Sequence, residues 1–173
     1  MYKRQLKIRG IEFPNRLVLS PLCMYSAKDG IANDWHFSHL STFARARVGC
    51  IFAEATAVRE DGKITPYCLG LWNENQKNAF KPIVNFIKKM GSVPAFQLAH
   101  AGRKASAKEP WKGGLPLDKE DENFMQVPIK TGSDYDWLQK QFVCILTNNE
   151  DPTVKKLLQS MVLGGQFMRA NYQ

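Results

Sequence analysis

The 173 residues have the composition of a folded globular protein. Apolar residues make up 44% and charged residues 23%, close to the averages of globular domains, so a disordered or fibrous chain is excluded. The net charge is +8, from 24 basic and 16 acidic residues. The basic residues are scattered and are not interleaved with aromatic residues, so we expect a solvated surface and no nucleic-acid partner.

The sequence also predicts a protein that has no membrane association. No run approaches the roughly 18 apolar residues of a membrane span, and the first residues lack the apolar core of a signal peptide. The four cysteines form neither a Cys-x-x-Cys pair nor a disulfide framework, which is typical of reduced thiols. We therefore expect a cytoplasmic location. The cysteines are Cys23, Cys50, Cys68 and Cys144.

The first two predicted elements are a strand and a helix. An apolar run at residues 16–20 stops at Ser20 and Pro21, as a strand end does. Apolar residues with helical spacing follow from Trp35 to Val48. Gly49 stands just beyond them, and we expect it to end this helix.

A second strand and helix and a third strand follow. The second apolar run covers residues 50–56, and a second helix opens at Asn73 and ends at Gly91. Pro82 lies inside it, so the regular part should either start near the proline or tolerate a kink there. The third run covers residues 93–98. Strands alternating with helices predict an α/β fold with a parallel sheet, in which a ligand lies at the carboxyl ends of the strands.

Five sequence blocks stand out along the chain. They are residues 15–25 (NRLVLSPLCMY), 54–57 (EATA), 62–66 (GKITP) with 69–72 (LGLW), 97–104 (QLAHAGRK) and 110–114 (PWKGG). Together, and in this order, they resemble the Old Yellow Enzyme family. The cysteine of the first block is similar to that of the thermophilic-like NADPH dehydrogenase branch, where other branches commonly carry threonine.

This resemblance implies a (β/α)8 TIM barrel that holds FMN non-covalently. NADPH would reduce the flavin, and an activated alkene, often an enone, would reoxidise it. The resemblance also implies which residues form the site. Gln97 would contact the pyrimidine edge of the flavin, for which an amide offers both a donor and an acceptor, and Ala55 would let the ring lie close to its strand. Ser20, Pro21 and Leu22 would present main-chain groups to the same edge.

Two residues of the first block carry the expected chemistry. The resemblance implies that Cys23 touches the flavin and tunes its redox potential, and that Tyr25 donates from its hydroxyl to the carbonyl of the substrate. The alternative for Cys23 is a buried structural thiol, because cysteine is among the most buried residue types. Tyr25 could equally be a surface aromatic residue, and Gln97 could simply cap a strand.

The histidines support a structural interpretation better than a metal site. His36 and His39 stand three residues apart near Asp34, but no third ligand has suitable spacing, so we predict a packed helix start and no metal. His100 and Arg103 follow the third strand, and we expect that loop to be structural.

The length of the chain limits the resemblance. A complete barrel needs about 200 residues or more, and the family pattern fades by about residue 128. We predict barrel strands 1 to 3 within residues 1–128, and an unrelated tail at 129–173 with a helix that passes into a strand over 135–146 and a second helix over 151–163. The second functional class is a non-catalytic remnant that acts by associating with another chain or as a homo-oligomer, since incomplete barrels expose strand edges.

Overall fold

The computed structural model describes residues 5–8, 10–124 and 142–145. The predicted tail helix at 151–163 lies outside these residues. In chain order the elements are β1 (Leu6–Ile8), β2 (Ile11–Phe13), β3 (Val18–Leu19), α1 (Asp34–Arg45), β4 (Cys50–Ala57), β5 (Leu69–Gly70), α2 (Glu74–Lys89), β6 (Val93–Ala99) and β7 (Phe142–Ile145).

The three predicted strands lie side by side in one sheet. β3 pairs with β4 and β4 pairs with β6, both in parallel, which confirms the predicted order of strand, helix, strand, helix, strand. The short β5 adds a parallel pairing at the end of β4. β7 lies on the far side of β6 and runs antiparallel to it, whereas the next strand of a (β/α)8 barrel would run parallel. Helices placed between parallel strands leave the carboxyl ends of β3, β4 and β6 at one edge.

Both helices begin with a capping box. The side chain of Asn33 accepts a hydrogen bond from the main chain of the first turn of α1, and the Asn33 main-chain N–H donates to Nδ1 of His36. Asn73 and Gln76 repeat the arrangement in α2, where the Asn73 N–H donates to Oε1 of Gln76. α2 is continuous through Pro82, so it does not start near that proline. Gly91, at φ +82°, follows its last turn as predicted.

The predicted role of Gly49 is wrong. α1 ends at Arg45, and the residue that takes up the left-handed conformation after it is Arg47, at φ +58°. The side-chain amide of Asn15 donates to the Arg47 carbonyl over 2.8 Å. Gly49 is needed for space instead, because a Cβ there would lie 2.4 Å from the carbonyl oxygen of Asn15.

Substitutions at these two positions should have opposite effects. Arg47→Gly should raise the free energy of unfolding by up to about 1 kcal/mol, because glycine adopts a positive φ without steric cost. Gly49→Ala should lower it by about 2 kcal/mol or more, since the new methyl group would displace the Asn15 main chain. Urea denaturation measures both. A stabilised Gly49→Ala variant would show that Asn15 does not approach Gly49 this closely.

The sheet separates two apolar clusters. On the helix side, side chains of β4 and β6 pack against α1 and α2, with Phe80 and Phe96 in edge-to-face contact at 4.5 Å. On the other side, Phe13 of the β1–β2 hairpin packs against Cys50 and Ala95, near the amino ends of the strands. The hairpin therefore covers the base of this second face, and the carboxyl ends of the strands lie beyond it.

Candidate functional site

The site is built around neighbouring residues of β4 and β6. Ala55 lies opposite Gln97 in the parallel register. Phe96 and Leu98 belong to the helix-side core, so strand alternation places Gln97 on the opposite face. Gln97 is half-buried and Ala55 is buried. A small residue beside a bifunctional amide thus lies on the sheet face away from the helices.

A β-bulge in β4 sets this placement. The register shifts between Ala53 and Ala55, which makes Glu54 the extra residue. Ala53 packs in the helix-side core, and Glu54 next to it meets His36 of α1. Two consecutive residues therefore face the helices, and Ala55 returns to the face of Gln97.

Cys23 lies on the segment that follows β3. The β3 ladder ends at Leu19, and residues 20–22 lead from it to the cysteine. The half-buried sulfur interacts with the main chain of Ala55 and with the Tyr25 hydroxyl. Burial, with a smaller contribution from the Glu54 carboxylate, raises the pKa of Cys23 to about 11. The group is therefore a neutral thiol at physiological pH, able to donate a hydrogen bond but poor as a nucleophile.

Tyr25 is held beside Cys23 in an uncommon conformation. Its φ is +48°, which costs free energy in a residue other than glycine. Burial, followed by the neighbouring Cys23, raises the pKa of Tyr25 to about 12, so its hydroxyl keeps the proton at physiological pH. Its ring meets that of Trp111 edge to face, with centroids 5.9 Å apart. Trp111 is 66% exposed, so this aromatic pair forms an open wall beside Cys23.

Sequence reasoning missed the role of Glu54. Its side chain is buried, one carboxylate oxygen accepts the Met24 N–H at 3.0 Å, and the other lies 3.4 Å from Nε2 of His36. His36 is fully buried as part of the capping box of α1, which confirms the predicted packed helix start. The available signal was a charged residue inside the apolar run 50–57, because a buried charge requires partners.

The loop after β6 is tied to the loop after β4. Nε2 of His100 lies 3.6 Å from Asp61, which also holds Arg59 in a two-pronged ion pair. The Gly102 N–H donates to Nδ1 of His100. Burial lowers the pKa of His100. These contacts agree with the structural role predicted for this loop. Within the described residues, no group of three His, Cys, Asp or Glu side chains could hold a metal ion.

The structure therefore brings together most of the predicted site. Cys23 contacts Tyr25 and the main chain of Ala55, and Gln97 joins them through strand register. Ser20, Pro21 and Leu22 form the approach to Cys23, with the Leu22 side chain 56% exposed. A flat ring with one polar edge fits this set of groups: a small residue, a bifunctional amide, a neutral thiol, a protonated phenol and main-chain groups beyond the last ladder pair.

Comparisons with known proteins agree with this geometry. The sequence model of the NADH:flavin oxidoreductase / NADH oxidase family matches residues 4–140. An NADH:flavin oxidoreductase of Gibberella zeae is 49% identical over 106 residues, which are 61% of this chain and 26% of that protein. An NADPH dehydrogenase of Listeria welshimeri is 47% identical over 103 residues, covering 58% of this chain and 30% of the relative.

Solved structures show the same relationship. The Old Yellow Enzyme from Pichia sp. AKU4542 superposes with a TM-score of 0.57 at 30% identity and covers 66% of this chain and 30% of its own. Morphinone reductase gives a TM-score of 0.53 at 26% identity, and the match covers 60% of this chain and 27% of that protein. The chain thus spans about a quarter to a third of the length of these relatives. No helix in the described part of the chain is long and apolar enough to cross a bilayer.

Proposed function

The chain belongs to the NADH:flavin oxidoreductase / NADH oxidase family, and on that premise we propose that its strand ends form the ring-binding side of an FMN-dependent NADPH dehydrogenase that reduces activated alkenes. One observation carries the proposal. The neutral Cys23 thiol and the protonated Tyr25 hydroxyl lie together beside Ala55, and Gln97 is the register partner of Ala55 on the neighbouring strand.

Each residue has a distinct part in the proposed site. The Gln97 amide would bind the pyrimidine edge of the ring, and the main chain of residues 20–22 would lie along the same edge. FMN, when bound, supplies hydride transfer from NADPH to an electron-poor alkene. The Cys23 thiol would hydrogen-bond to the ring. The Tyr25 hydroxyl would donate to the substrate carbonyl oxygen, which favours the charge that develops there.

A non-catalytic remnant is the second candidate. The antiparallel pairing of β7 with β6 favours it, because β7 takes the edge at which a fourth parallel barrel strand would pair. Such a chain would act, if at all, by associating with another chain or a second copy. The division into a barrel part at 1–128 and a tail at 129–173 and a cytoplasmic location both stay predictions.

Titration of the full 173-residue chain with FMN, followed by flavin fluorescence, tests the proposal. We expect weak but saturable binding, because the described strand ends offer contacts for the ring edge while barrels of this type hold the phosphate at loops after later strands. Gln97→Ala should weaken binding about fivefold to tenfold, which corresponds to one lost hydrogen bond. Asn85→Ala, an exposed amide of α2, is the matched control and should leave binding unchanged.

Two outcomes would contradict the proposal. Absence of saturable binding up to about 1 mM FMN, an affinity of only about 4 kcal/mol, would favour the remnant. Saturable binding that is equally strong in Gln97→Ala and in the wild type would reject the role of the amide.

A further inference from the structure

The segment that carries Cys23 and Tyr25 is held by a network of contacts among five residues. Asn33 donates from its side chain to the Ser26 carbonyl at 2.7 Å, and the Ser26 hydroxyl donates to the Met24 carbonyl at 2.9 Å. The Met24 N–H donates to Oε2 of Glu54 at 3.0 Å. Oε1 of Glu54 lies 3.4 Å from Nε2 of His36, an ion-pair distance at which neither atom has a hydrogen-bond partner among the described residues. Nδ1 of His36 accepts a hydrogen bond from the Asn33 N–H at 3.1 Å. Met24 is thus held at both its N–H and its carbonyl.

The Glu54 carboxylate is the member of this network that connects the sheet to the segment. Nδ1 of His36 accepts the Asn33 N–H, so the ring proton is placed on Nε2, the nitrogen that faces Oε1 of Glu54. His36 is fixed in turn by the capping box of α1. Glu54 is 2% exposed, and the β-bulge turns it toward the helix. Its position is therefore determined on the strand side and on the helix side.

The left-handed backbone conformation of Tyr25 indicates what this network stabilises. A non-glycine residue at φ +48° costs about 1–3 kcal/mol and persists only where its surroundings over-determine it. Met24 and Ser26 flank Tyr25 and are both members of the network. The hydrogen bonds therefore fix the main chain on each side of the strained residue.

We infer that Glu54 is a positioning residue, which through the Met24 N–H sets the placement of the Cys23 thiol and the Tyr25 hydroxyl. The purpose of this placement rests on the proposed function, whereas the network itself does not. A purely structural Glu54–His36 pair would serve only the packing of α1 on β4. The two roles predict different effects of a substitution on the alkylation rate of Cys23, compared with the rates of the buried thiols.

The test measures alkylation of individual cysteines in the flavin-free full chain. Wild type, Glu54→Gln and Ser26→Ala are treated with iodoacetamide across a pH series, and each cysteine is quantified by peptide mass spectrometry. Buried Cys50 is the internal reference for both variants, and buried Cys68 is the reference for Ser26→Ala only, because the Glu54 charge also raises the pKa of Cys68. Glu74→Gln, at an exposed carboxylate of α2, is the matched control.

We expect Cys23 to react about threefold to tenfold faster at pH 8 in Glu54→Gln, with its pH profile displaced to lower pH by about half to one unit. The groups whose charges act on Cys23 are Glu54 and Cys68, whereas Tyr25 interacts with it without charge. Only Glu54 is changed in this variant. Ser26→Ala keeps every charge and removes one hydrogen bond to Met24, so it should increase the Cys23 rate without moving the profile. Cys50 should keep its rate in both variants, and Cys68 should keep its rate in Ser26→Ala.

Unchanged Cys23 rates in folded variants would overturn the inference, as would a parallel increase at Cys23, Cys50 and Cys68 in Ser26→Ala. If Glu54→Gln does not fold, Ser26→Ala decides alone, because losing one hydroxyl costs only about 1 kcal/mol. No flavin is present, so failure of FMN to bind would reject the proposed function and leave this result standing.

Discussion

Phe80→Ala is expected to lower the free energy of unfolding by about 3–5 kcal/mol, the range found when buried aromatic residues are truncated. Phe80 and Phe96 are each 3% exposed, and their rings meet at an interplanar angle of 82°. Their contact joins α2 to β6. Phe96 immediately precedes Gln97, so the loss should also disturb the strand that carries the proposed flavin contact.

Chemical denaturation of the flavin-free chain measures this effect. Phe86→Ala is the matched control, because Phe86 lies on the same helix but is only partly buried, against Phe37. Phe86→Ala should lower the free energy of unfolding clearly less than Phe80→Ala does. Equal losses in the two variants would mean that α2 is not anchored to the sheet through Phe80.

The strands and helices could be predicted because their signals are local. Each apolar run that became β4 or β6 is bounded by polar or small residues, and each helix opens with a capping residue three positions before its capping partner. Local hydrophobic pattern then fixes which residues face the core. The continuity of α2 through Pro82 was open in the sequence, because tertiary packing overrides the preference of one residue.

What could not be predicted depends on contacts between distant residues. In the sequence, Gly49 resembles a glycine that ends a helix. In the structure it is required because Asn15, 34 residues earlier in the chain, lies too close to leave space for a side chain. The bulge at Glu54 likewise breaks the strict alternation by which strand residues are assigned to faces. Neither effect leaves a mark in the spacing of apolar residues.

The candidate site also contains residues that could be predicted from the sequence and residues that could not. The resemblance singled out Cys23, Tyr25 and Gln97, and the structure places the first two in contact. The residues that hold them could not be read from the motif, since Asn33 and Glu54 reach the segment from a helix start and from another strand. A sequence block therefore identifies the groups that face a ligand more readily than those that fix their geometry.

Cys23→Ala is expected to shift the two-electron midpoint potential of bound FMN by about 20 mV. The thiol remains protonated at neutral pH, because burial raises its pKa to about 11, so it would act on the flavin as a hydrogen-bonding group without charge. One neutral hydrogen bond contributes about 1 kcal/mol, which corresponds to about 20 mV in a two-electron couple. Turnover should change with the potential.

Spectroelectrochemical titration at saturating FMN measures the shift, and Cys50→Ala is the matched control. Cys50 is also a neutral thiol with a pKa of about 11, but it packs against Phe13 at the hairpin-covered base of the sheet. Removing it should lower stability and leave the potential unchanged. If Cys23→Ala also lowers stability and leaves the midpoint potential unchanged, Cys23 is a packing residue. The flavin contact must then be assigned to the groups around Gln97 alone.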